Sequence, residues 1–304
     1  MRILRELIHC DEPTAVALGF FDGVHLGHRR VLESAVKYKS EGLVPTAFIF
    51  SRTPKQNDRG RQLLTFDEKI KRFEMLGIEQ LYVIDFESMR DTSPEDFVEK
   101  ILSGVFNARR VFCGFNYHFG AGGSGDTAAL KRLCGESGIT ASVSEPVEVD
   151  GAPVSSSRIR ALLQDGDVAK ANRLLGYEYG YSGEVVEGNH LGAAMQTPTI
   201  NLEIPGDIML LRFGVYASLV NAGGKVYPGV TNIGVKPTVA DDNAPNCETW
   251  MLGYDGGELY GERVEVRLIG FIRAEKRFPS MLELERAIKS DAETALKMIK
   301  RYSF

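Results

Sequence analysis

The chain has 304 residues, a length that favours two domains of ordinary size over one core. Its 36 Lys and Arg residues and 41 Asp and Glu residues give a formal net charge of −5 at pH 7. A mildly acidic chain lacks the basic face that general nucleic-acid binding requires, so we expect small-molecule partners and no nucleic acid. Anionic ligands must then be held by local positive potential.

The four cysteines are scattered, without the spacing of a zinc site or the density of a secreted disulfide framework. The N-terminus lacks an apolar core long enough for a signal peptide, and no later run approaches membrane-spanning length. These features predict a cytoplasmic protein with reduced thiols and no membrane partner.

A nucleotide cradle is indicated by residues 14–30, where an apolar run breaks into glycines before an amphipathic helix pattern. Residues 16–18 suit a buried strand. Gly19 and Gly23 permit a tight turn with close backbone approach. A helix pattern opens at Gly27, and the free N–H groups of a helix start attract phosphate.

Two histidines stand at the start of that helix. His25 and His28 are spaced by three, so they would lie on one side of the first turn, where imidazoles can donate hydrogen bonds to a phosphate under attack. The alternative is a pair of ordinary polar surface residues. The pair uses two of only five histidines and sits between glycines after an apolar strand, which favours the functional interpretation.

Strand and helix patterns alternate through the rest of the first half, which predicts a parallel sheet with flanking helices. Beyond the first strand, we expect strands at residues 44–50, 81–84, 109–113 and 139–149, and helices at residues 29–40, 65–76, 127–137 and 168–175. Ser93 and Pro94 predict the start of a further helix, with Ser93 as its N-cap and Pro94 in its first turn.

Two polar segments lie where ligands collect in such folds. Residues 114–120 leave the C-terminal end of a strand, the edge at which open α/β sheets bind ligands. Residues 155–160 place three hydroxyl groups and two guanidinium groups at a helix start. Because all of these groups donate hydrogen bonds, the segment is a candidate phosphate-binding site. The alternative is that the serines only cap the helix, but a cap accounts for one serine and leaves two serines and the arginines unexplained.

Residues 19–28, Gly-Phe-Phe-Asp-Gly-Val-His-Leu-Gly-His, resemble the G-x-F-D-G-x-H-x-G-H signature of bacterial FAD synthetases, within the H-x-G-H nucleotidyltransferases. Residues 114–120 resemble the family's G-x-N-F-x-F-G segment, and residues 154–160 its I-S-S-T-x-x-R motif. The resemblance implies a Rossmann-like domain that transfers adenylyl from ATP to FMN by direct attack on the α-phosphate.

The resemblance assigns roles residue by residue. It gives catalysis to His25 and His28, with no covalent enzyme intermediate. It gives ATP binding to Gly19, Phe20, Asp22, Gly23, Gly27, Asn116, Ser156, Ser157 and Arg160. It makes Phe115, Tyr117 and Phe119 candidates for the walls of the nucleotide and flavin site, with core packing an equal alternative for Phe119.

The pattern changes from residue 179 onward. About six β-rich runs, at residues 184–188, 199–204, 215–220, 227–233, 248–252 and 264–272, are separated by turn residues and predict an antiparallel barrel. A final amphipathic helix at residues 280–300 would pack on it through Leu282, Leu284, Ile288, Ala292 and Leu296. We therefore divide the chain into residues 1–178 and 179–304, with a linker at residues 176–183.

The second half resembles the riboflavin kinase module of bacterial bifunctional flavin enzymes. The stretches that carry the resemblance are residues 198–201, 214–216, 229–234, 237–238, 248–249, 259–261 and 273–278. It implies a six-stranded barrel with a terminal helix, ATP as co-substrate and Mg²⁺ as cofactor. By the match, Thr199 and Asn201 bind Mg²⁺ and ATP, Gly192 binds ATP, Glu248 is the catalytic acid, and Arg273 and Phe278 contact flavin.

Three segments depart from the family patterns. The kinase family reads G-R-x-L-G-F-P-T-x-N where this chain has Ala193 and Gln196 in place of the arginine and second glycine, which removes a charged donor and adds a side chain. Trp250 stands where the family often has histidine. Residues 50–54 lack the first proline and the histidine of the F-x-P-H-P turn, so no flavin contact is assigned there.

The sequence therefore predicts a bifunctional enzyme that makes FMN from riboflavin and FAD from FMN. The changed loop before Thr199 motivates a first alternative, an adenylyltransferase whose barrel only binds flavin. A second alternative is a flavin-binding regulatory protein without turnover. A third keeps the nucleotidyltransferase but gives it another phosphate ester as acceptor.

Overall fold

The computed structural model describes residues 1–51, 61–187, 199–235 and 245–300. The chain forms two compact units, Met1–Ser156 and Ser157–Phe304. The functional domain boundary that we place between residues 178 and 179 stays a prediction. No helix in the described ranges combines the length and apolar character needed to cross a membrane.

Six parallel strands form the main sheet of the first unit. They are β1 (Arg2–Leu4), β2 (Thr14–Leu18), β3 (Val44–Phe50), β4 (Gln80–Ile84), β5 (Ala108–Gly114) and β6 (Thr140–Ser144). Hydrogen bonding orders them β1-β4-β3-β2-β5-β6, which confirms the predicted parallel sheet. The sequence pattern does not predict β1, a three-residue edge strand too short to show periodicity.

Helices connect these strands and begin at capping residues. They are α1 (Leu26–Val36), α2 (Phe66–Leu76), α3 (Pro94–Asp96), which continues as a π-helix at Phe97–Val105, and α4 (Thr127–Glu136). Thr65 and Ser93 each accept a hydrogen bond from a backbone N–H in the first turn of α2 and α3, as N-cap residues do. A short hairpin, β7 (Glu148–Val149) and β8 (Ala152–Pro153), ends the unit.

The sheet topology brings the two polar loops of the first unit together. Strand β2 pairs with β5, so the cradle after β2 and the segment after β5 leave adjacent strands at the same edge. Below that edge, Val16, Phe48, Tyr82 and Phe106 belong to one buried cluster. The core therefore fixes the strand ends from which the site is built.

The second unit is a nearly closed antiparallel barrel. After α5 (Ser156–Asp165) and α6 (Val168–Leu175) come β9 (Gly180–Glu184), β10 (Thr199–Glu203), β11 (Gly214–Ala222), β12 (Lys225–Val235), β13 (Pro245–Met251) and β14 (Arg263–Arg273). They are ordered β10-β13-β12-β11-β14-β9, and Val186 N donates to Asn201 O (2.9 Å) between the two ends. The predicted six-stranded barrel is confirmed.

Strand β9 lies partly within the predicted linker. Residues 176–183 were expected to connect the domains because glycines begin and end them, but β9 begins at Gly180 and pairs with β14. A Cβ atom at position 180 would collide with the Val266 carbonyl oxygen. This glycine therefore permits close strand approach and does not mark a flexible link.

The terminal helix α7 (Met281–Ile299) packs on the barrel with a face that matches the expected one only in part, because Leu284, Ile288 and Ala292 are half-buried. Leu282 and Leu296 are exposed, whereas Asp291, Ala295 and Ile299 are buried. The inward position of Asp291 explains the error, because its carboxylate binds the barrel and an apolar pattern does not count an aspartate as inward-facing.

Candidate active sites

The cradle after β2 is a strained turn that leads directly into α1. Phe21 and Val24 have φ values of 50° and 37°, and Gly23 has a φ value of 81°. Positive φ at two non-glycine residues is uncommon and concentrates at functional sites. The predicted tight turn at Gly23 is present.

Of the two predicted catalytic histidines, His25 is buried and His28 is half-buried, and their rings lie face to face. The rings of His25 and His28 stack with centroids 3.6 Å apart and an interplanar angle of 15°. His25 is the N-cap of α1, and its Nδ1 accepts a hydrogen bond from the backbone N–H of His28 (3.2 Å). Since Nδ1 is an acceptor, the neutral ring carries its proton on Nε2.

Burial keeps both imidazoles uncharged at neutral pH. Burial lowers the pKa of His25 to about 4. Burial, and then the charges of His25 and Lys69, lower the pKa of His28 well below its ordinary value. Nδ1 of His28 is buried and makes no hydrogen bond to the part of the chain that the structure describes. The pair can therefore act as neutral donors.

Glycines in the cradle make room for these rings. A Cβ atom at Gly27 would lie 3.2 Å from Cε1 of His25, and one at Gly19 would lie 3.0 Å from the ring of Phe21. Phe21 in turn contacts the His28 ring edge-on, with centroids 5.4 Å apart. Both glycines thus serve side-chain packing that fixes the histidines.

Two further predicted residues hold the cradle in place. Oδ1 of Asp22 accepts a hydrogen bond from the backbone N–H of Leu63 (2.9 Å), and the Asp22 carbonyl oxygen accepts one from Oγ of Ser156 (2.9 Å). Ser156 is the first residue of α5, and Ser157 and Arg160 follow on the same helix. The structure therefore connects the predicted serine motif to the cradle through Ser156.

An aromatic cavity of about 220 Å³ opens at the same sheet edge. Its aromatic walls are Phe20, Phe48, Phe50, Phe86, Phe97, Tyr117 and Phe119. Tyr117 and Phe119 are stacked, with centroids 6.1 Å apart, and Phe119 is also part of the buried core. The cavity is therefore formed by residues at the ends of β2, β3, β4 and β5.

Not every predicted wall residue lines this cavity. Phe115, predicted as a wall, and Asn116, predicted to contact the nucleotide, lie in the loop after β5 and are exposed. Phe86 lines it although no motif includes this residue; its position two residues after β4 is the signal that could have identified it. Such a position follows the carboxyl end of a parallel strand.

The second candidate site lies on the barrel, where β10 pairs with β13. Asn201 is opposite Glu248 in the register, and Thr199 is opposite Trp250. Oγ1 of Thr199 donates a hydrogen bond to Oε1 of Glu248 (2.9 Å). The pairing of two distant strands therefore brings together the three residues predicted for the kinase step.

The oxygen atoms of this group suit a hard cation. Asn201 is buried, and its Oδ1 accepts a hydrogen bond from Nδ2 of Asn246 (2.9 Å). Hydroxyl, amide and carboxylate oxygens are the ligand types that Mg²⁺ prefers. In residues 1–51, 61–187, 199–235 and 245–300, no three His, Cys, Asp or Glu side chains form a group that could hold a metal ion.

A cavity of about 390 Å³ adjoins this group. Strand residues Thr199, Val215, Val230, Asn232, Glu248 and Trp250 line one side, and Phe278, Leu284 and Ile288 line the other. Arg273 also lines it, but its guanidinium donates to both carboxylate oxygens of Asp291, with Nε 3.0 Å from Oδ1 and Nη2 2.7 Å from Oδ2. Arg273 thus anchors the cavity wall to α7.

Comparison with known proteins matches both halves of the chain. The FAD synthetase family model matches residues 7–158, and the riboflavin kinase model matches residues 175–299. The bifunctional riboflavin kinase/FMN adenylyltransferase of Bacillus subtilis is 33% identical over 93% of this chain and 92% of its own. The chain belongs to the bifunctional riboflavin kinase/FMN adenylyltransferase family. The resemblance seen in the sequence motifs is confirmed.

Another relative and one solved structure also match this chain over nearly its whole length. The bifunctional riboflavin kinase/FMN adenylyltransferase of Escherichia coli is 31% identical over 93% of this chain and 92% of its own. A solved structure described as a macrolide-efflux protein from Streptococcus pneumoniae has a TM-score of 0.87 and 26% identity, and the match covers 99% of each chain. That description concerns efflux, whereas both family models concern flavin.

Several family motifs lie outside the described residues. Gly192, with the departures Ala193 and Gln196, falls in residues 188–198, and residues 237–238 and the end of the 50–54 segment fall in the other ranges without description. The ATP-binding role predicted for Gly192 stays a prediction.

One buried residue of the adenylyltransferase site was missed by the motif analysis. Lys69 lies beside the cradle and is 6% exposed. It shares a helix face with Phe73, four residues later, and a lysine on an apolar face is the signal that could have identified it.

Proposed function

We propose that this chain carries out both reactions of its family. In the barrel, ATP phosphorylates riboflavin to give FMN; in the first unit, a second ATP adenylylates FMN to give FAD and pyrophosphate. The observation that carries the proposal is the match of the two family models, one to each half of the chain. The alternative with an inactive barrel is not favoured by this double match.

The cradle supports direct transfer of the adenylyl group. The FMN phosphate oxygen forms the new bond to the α-phosphorus of ATP, and the bond to the pyrophosphate oxygen breaks. We assign His25 and His28 to the α-phosphate, where neutral N–H donors stabilise the charge that develops during attack. Ser157, Arg160 and Asn116 are assigned to the remaining phosphates and the nucleotide.

The barrel supports phosphoryl transfer to a hydroxyl group. We assign Glu248 to the terminal ribityl hydroxyl of riboflavin, whose proton its carboxylate accepts while the oxygen attacks the γ-phosphate. The hydrogen bond from Thr199 orients this carboxylate. Thr199 and Asn201 would hold Mg²⁺, which neutralises phosphate charge when bound.

The two cavities are assigned to the two flavin substrates. The aromatic cavity of the first unit offers faces on which an isoalloxazine ring can stack, with Tyr117 among them. The barrel cavity, lined by Trp250 and Phe278, is assigned to riboflavin. The four cysteines are buried and free, which agrees with the cytoplasmic location that we propose.

Riboflavin turnover with product separation tests the proposal. The protein, riboflavin, ATP and Mg²⁺ should give FMN and then FAD, and FMN supplied directly should give FAD. FAD from FMN but no product from riboflavin would favour the inactive-barrel alternative. Flavin binding without either product would favour a regulatory protein. Pantetheine phosphate and glycerol phosphate, offered in place of FMN, test the acceptor and should not react.

A further inference from the structure

Lys69 is a buried cation in the first unit that no motif accounts for. It lies four residues after Thr65, the N-cap of α2, and is 6% exposed. Its Nζ donates a hydrogen bond to the backbone oxygen of Phe20 in the cradle (3.5 Å). Within the described residues this is the only hydrogen bond of the ammonium group, which has three N–H donors.

The position of Lys69 is electrostatically costly, and the cradle compensates for part of the cost. Burial lowers the pKa of Lys69, and the carboxylate of Asp22 opposes that shift. Asp22 is the residue whose backbone oxygen binds Ser156 and whose carboxylate binds Leu63. The charge of Lys69 is thus coupled to the turn that carries the histidines.

Lys69 also acts on His28. The groups that lower the pKa of His28, after burial itself, are His25 at the start of α1 and Lys69 from α2. Of the other cations on α2, Lys71 is exposed and pairs with Glu68, and Arg72, three residues after Lys69, is half-buried. A nearby positive charge disfavours the imidazolium form, so Lys69 helps to keep His28 neutral.

The adenylyltransferase chemistry has a use for such a charge. ATP is strongly anionic, and the two histidines that we assign to its α-phosphate carry no charge at neutral pH. A preorganised positive charge in a water-poor site stabilises developing negative charge more effectively than one in solvent. Lys69 is fixed by burial and by its contact with Phe20.

We propose that Lys69 is a positioning residue for adenylyl transfer: through its contact with Phe20, two residues before Asp22, it holds the cradle, and with it His28, in the geometry that donates a hydrogen bond to the α-phosphate of ATP. This role rests on the FMN adenylyltransferase function proposed above and adds to it a residue that positions the donor and, after burial and His25, contributes to its neutrality.

The test compares three variants of the full chain in FAD formation from FMN, over pH 4 to 9, so that the acidic limb is followed below the ordinary histidine pKa. Lys69→Met keeps the length of the side chain and removes its charge, and Lys69→Arg keeps the charge. Lys71→Met is the matched control, because Lys71 lies on the same helix but is exposed and pairs with Glu68. Circular dichroism and the thermal unfolding midpoint of each variant report on folding of the full chain, and FMN formation from riboflavin, measured in parallel, reports on the barrel.

Lys69→Met should lower kcat for FAD formation by about 10- to 100-fold, with a smaller change in KM. Removing the cation makes protonation of His28 easier, so the acidic limb of the pH profile should move to higher pH. Lys69→Arg should restore part of the rate and keep the acidic limb near that of the parent. Lys71→Met should behave as the parent.

Parental kcat in Lys69→Met would overturn the role of Lys69, and so would a reduced kcat with an unmoved acidic limb. If Lys69→Met does not fold, the His28 titration in the parent, followed by NMR with labelled histidine, decides the matter. A ring that protonates near its ordinary pKa contradicts the proposal. A parent protein that forms no FAD would instead contradict the adenylyltransferase function itself.

Discussion

The hydroxyl group of Thr199 donates a hydrogen bond of 2.9 Å to Oε1 of Glu248, across strands that are 49 residues apart in sequence. This contact fixes the carboxylate beside the cavity of the barrel. Glu248→Gln keeps the side-chain size but removes the base, so FMN formation should fall by about 100- to 10,000-fold. FAD formation from supplied FMN should stay near the parent rate. Loss of both activities in a folded protein would contradict the division of labour.

His28→Ala should have the opposite effect and lower FAD formation but not FMN formation. It removes one of two stacked donors from the cradle, and loss of a preorganised donor costs about 100- to 1,000-fold in kcat. FAD formation from FMN should fall by that factor, while FMN formation from riboflavin should persist and FMN should accumulate. The measurement is separation of the flavin products over time. If FMN formation fell by the same factor as FAD formation, the two reactions would not depend on separate sets of residues.

Gly27→Ala tests whether ring placement matters as much as ring identity. The added Cβ would lie 3.2 Å from Cε1 of His25, so the ring must move by a few tenths of an ångström. A small misplacement of a catalytic group is costly, and we expect about a 10-fold lower kcat for FAD formation with His25 and His28 both present.

Gly135→Ala is the control for that change. Gly135 lies in α4, and a Cβ there would meet no atom within 4 Å. Alanine is the better helix former, so this variant should keep the parent rate and gain about 0.5–1 kcal/mol in free energy of unfolding. Equal rates for the two variants would show that the space beside His25 is not needed.

The sequence predicted those parts of the fold whose signal is local. Strand β3 and helix α6 have the predicted bounds, because apolar runs end at glycines or caps. The Ser93 cap was also correct, but the π-helix that follows was not expected, since its sequence has ordinary helical periodicity. Local pattern therefore gave the elements but not their irregular geometry.

Contacts between distant residues explain what the sequence did not reveal. The motif predicted His25 and His28 but not their stacking or neutrality, which depend on burial by Phe21 and neighbouring residues. It also gave no signal for the bond between Ser156 and Asp22, which joins segments 134 residues apart. The exposure of Leu282 and Leu296 on α7 has the same origin, because Asp291 is inward only through its partner Arg273 on β14.

Asp291→Asn tests the anchor between α7 and the barrel. Asp291 is 5% exposed, and its carboxylate binds the Arg273 guanidinium through both oxygens. Removing the charge leaves a largely buried cation poorly compensated, so the free energy of unfolding should fall by about 3 kcal/mol. Urea denaturation followed by circular dichroism measures this. Glu285→Gln, in an exposed pair with Lys289 on the same helix, should leave the midpoint nearly unchanged.

Trp250 is the only tryptophan of the chain and lines the cavity assigned to riboflavin. It is two residues from Glu248 on the same strand, so both side chains point to the same face. Riboflavin bound in this cavity should therefore quench the tryptophan fluorescence, with a midpoint that follows the KM of FMN formation. N-acetyltryptophanamide at the same riboflavin concentrations corrects for light absorbed by the flavin.

Ile288→Phe decides whether that quenching comes from the barrel cavity. Ile288 lines the cavity from α7, opposite the strand residues, so the larger ring reduces the volume of about 390 Å³ available to riboflavin. Quenching and FMN formation should then weaken together, because both need the flavin in the same place. Unchanged quenching with FMN formation lost would place the bound flavin elsewhere and contradict the assignment of this cavity to riboflavin.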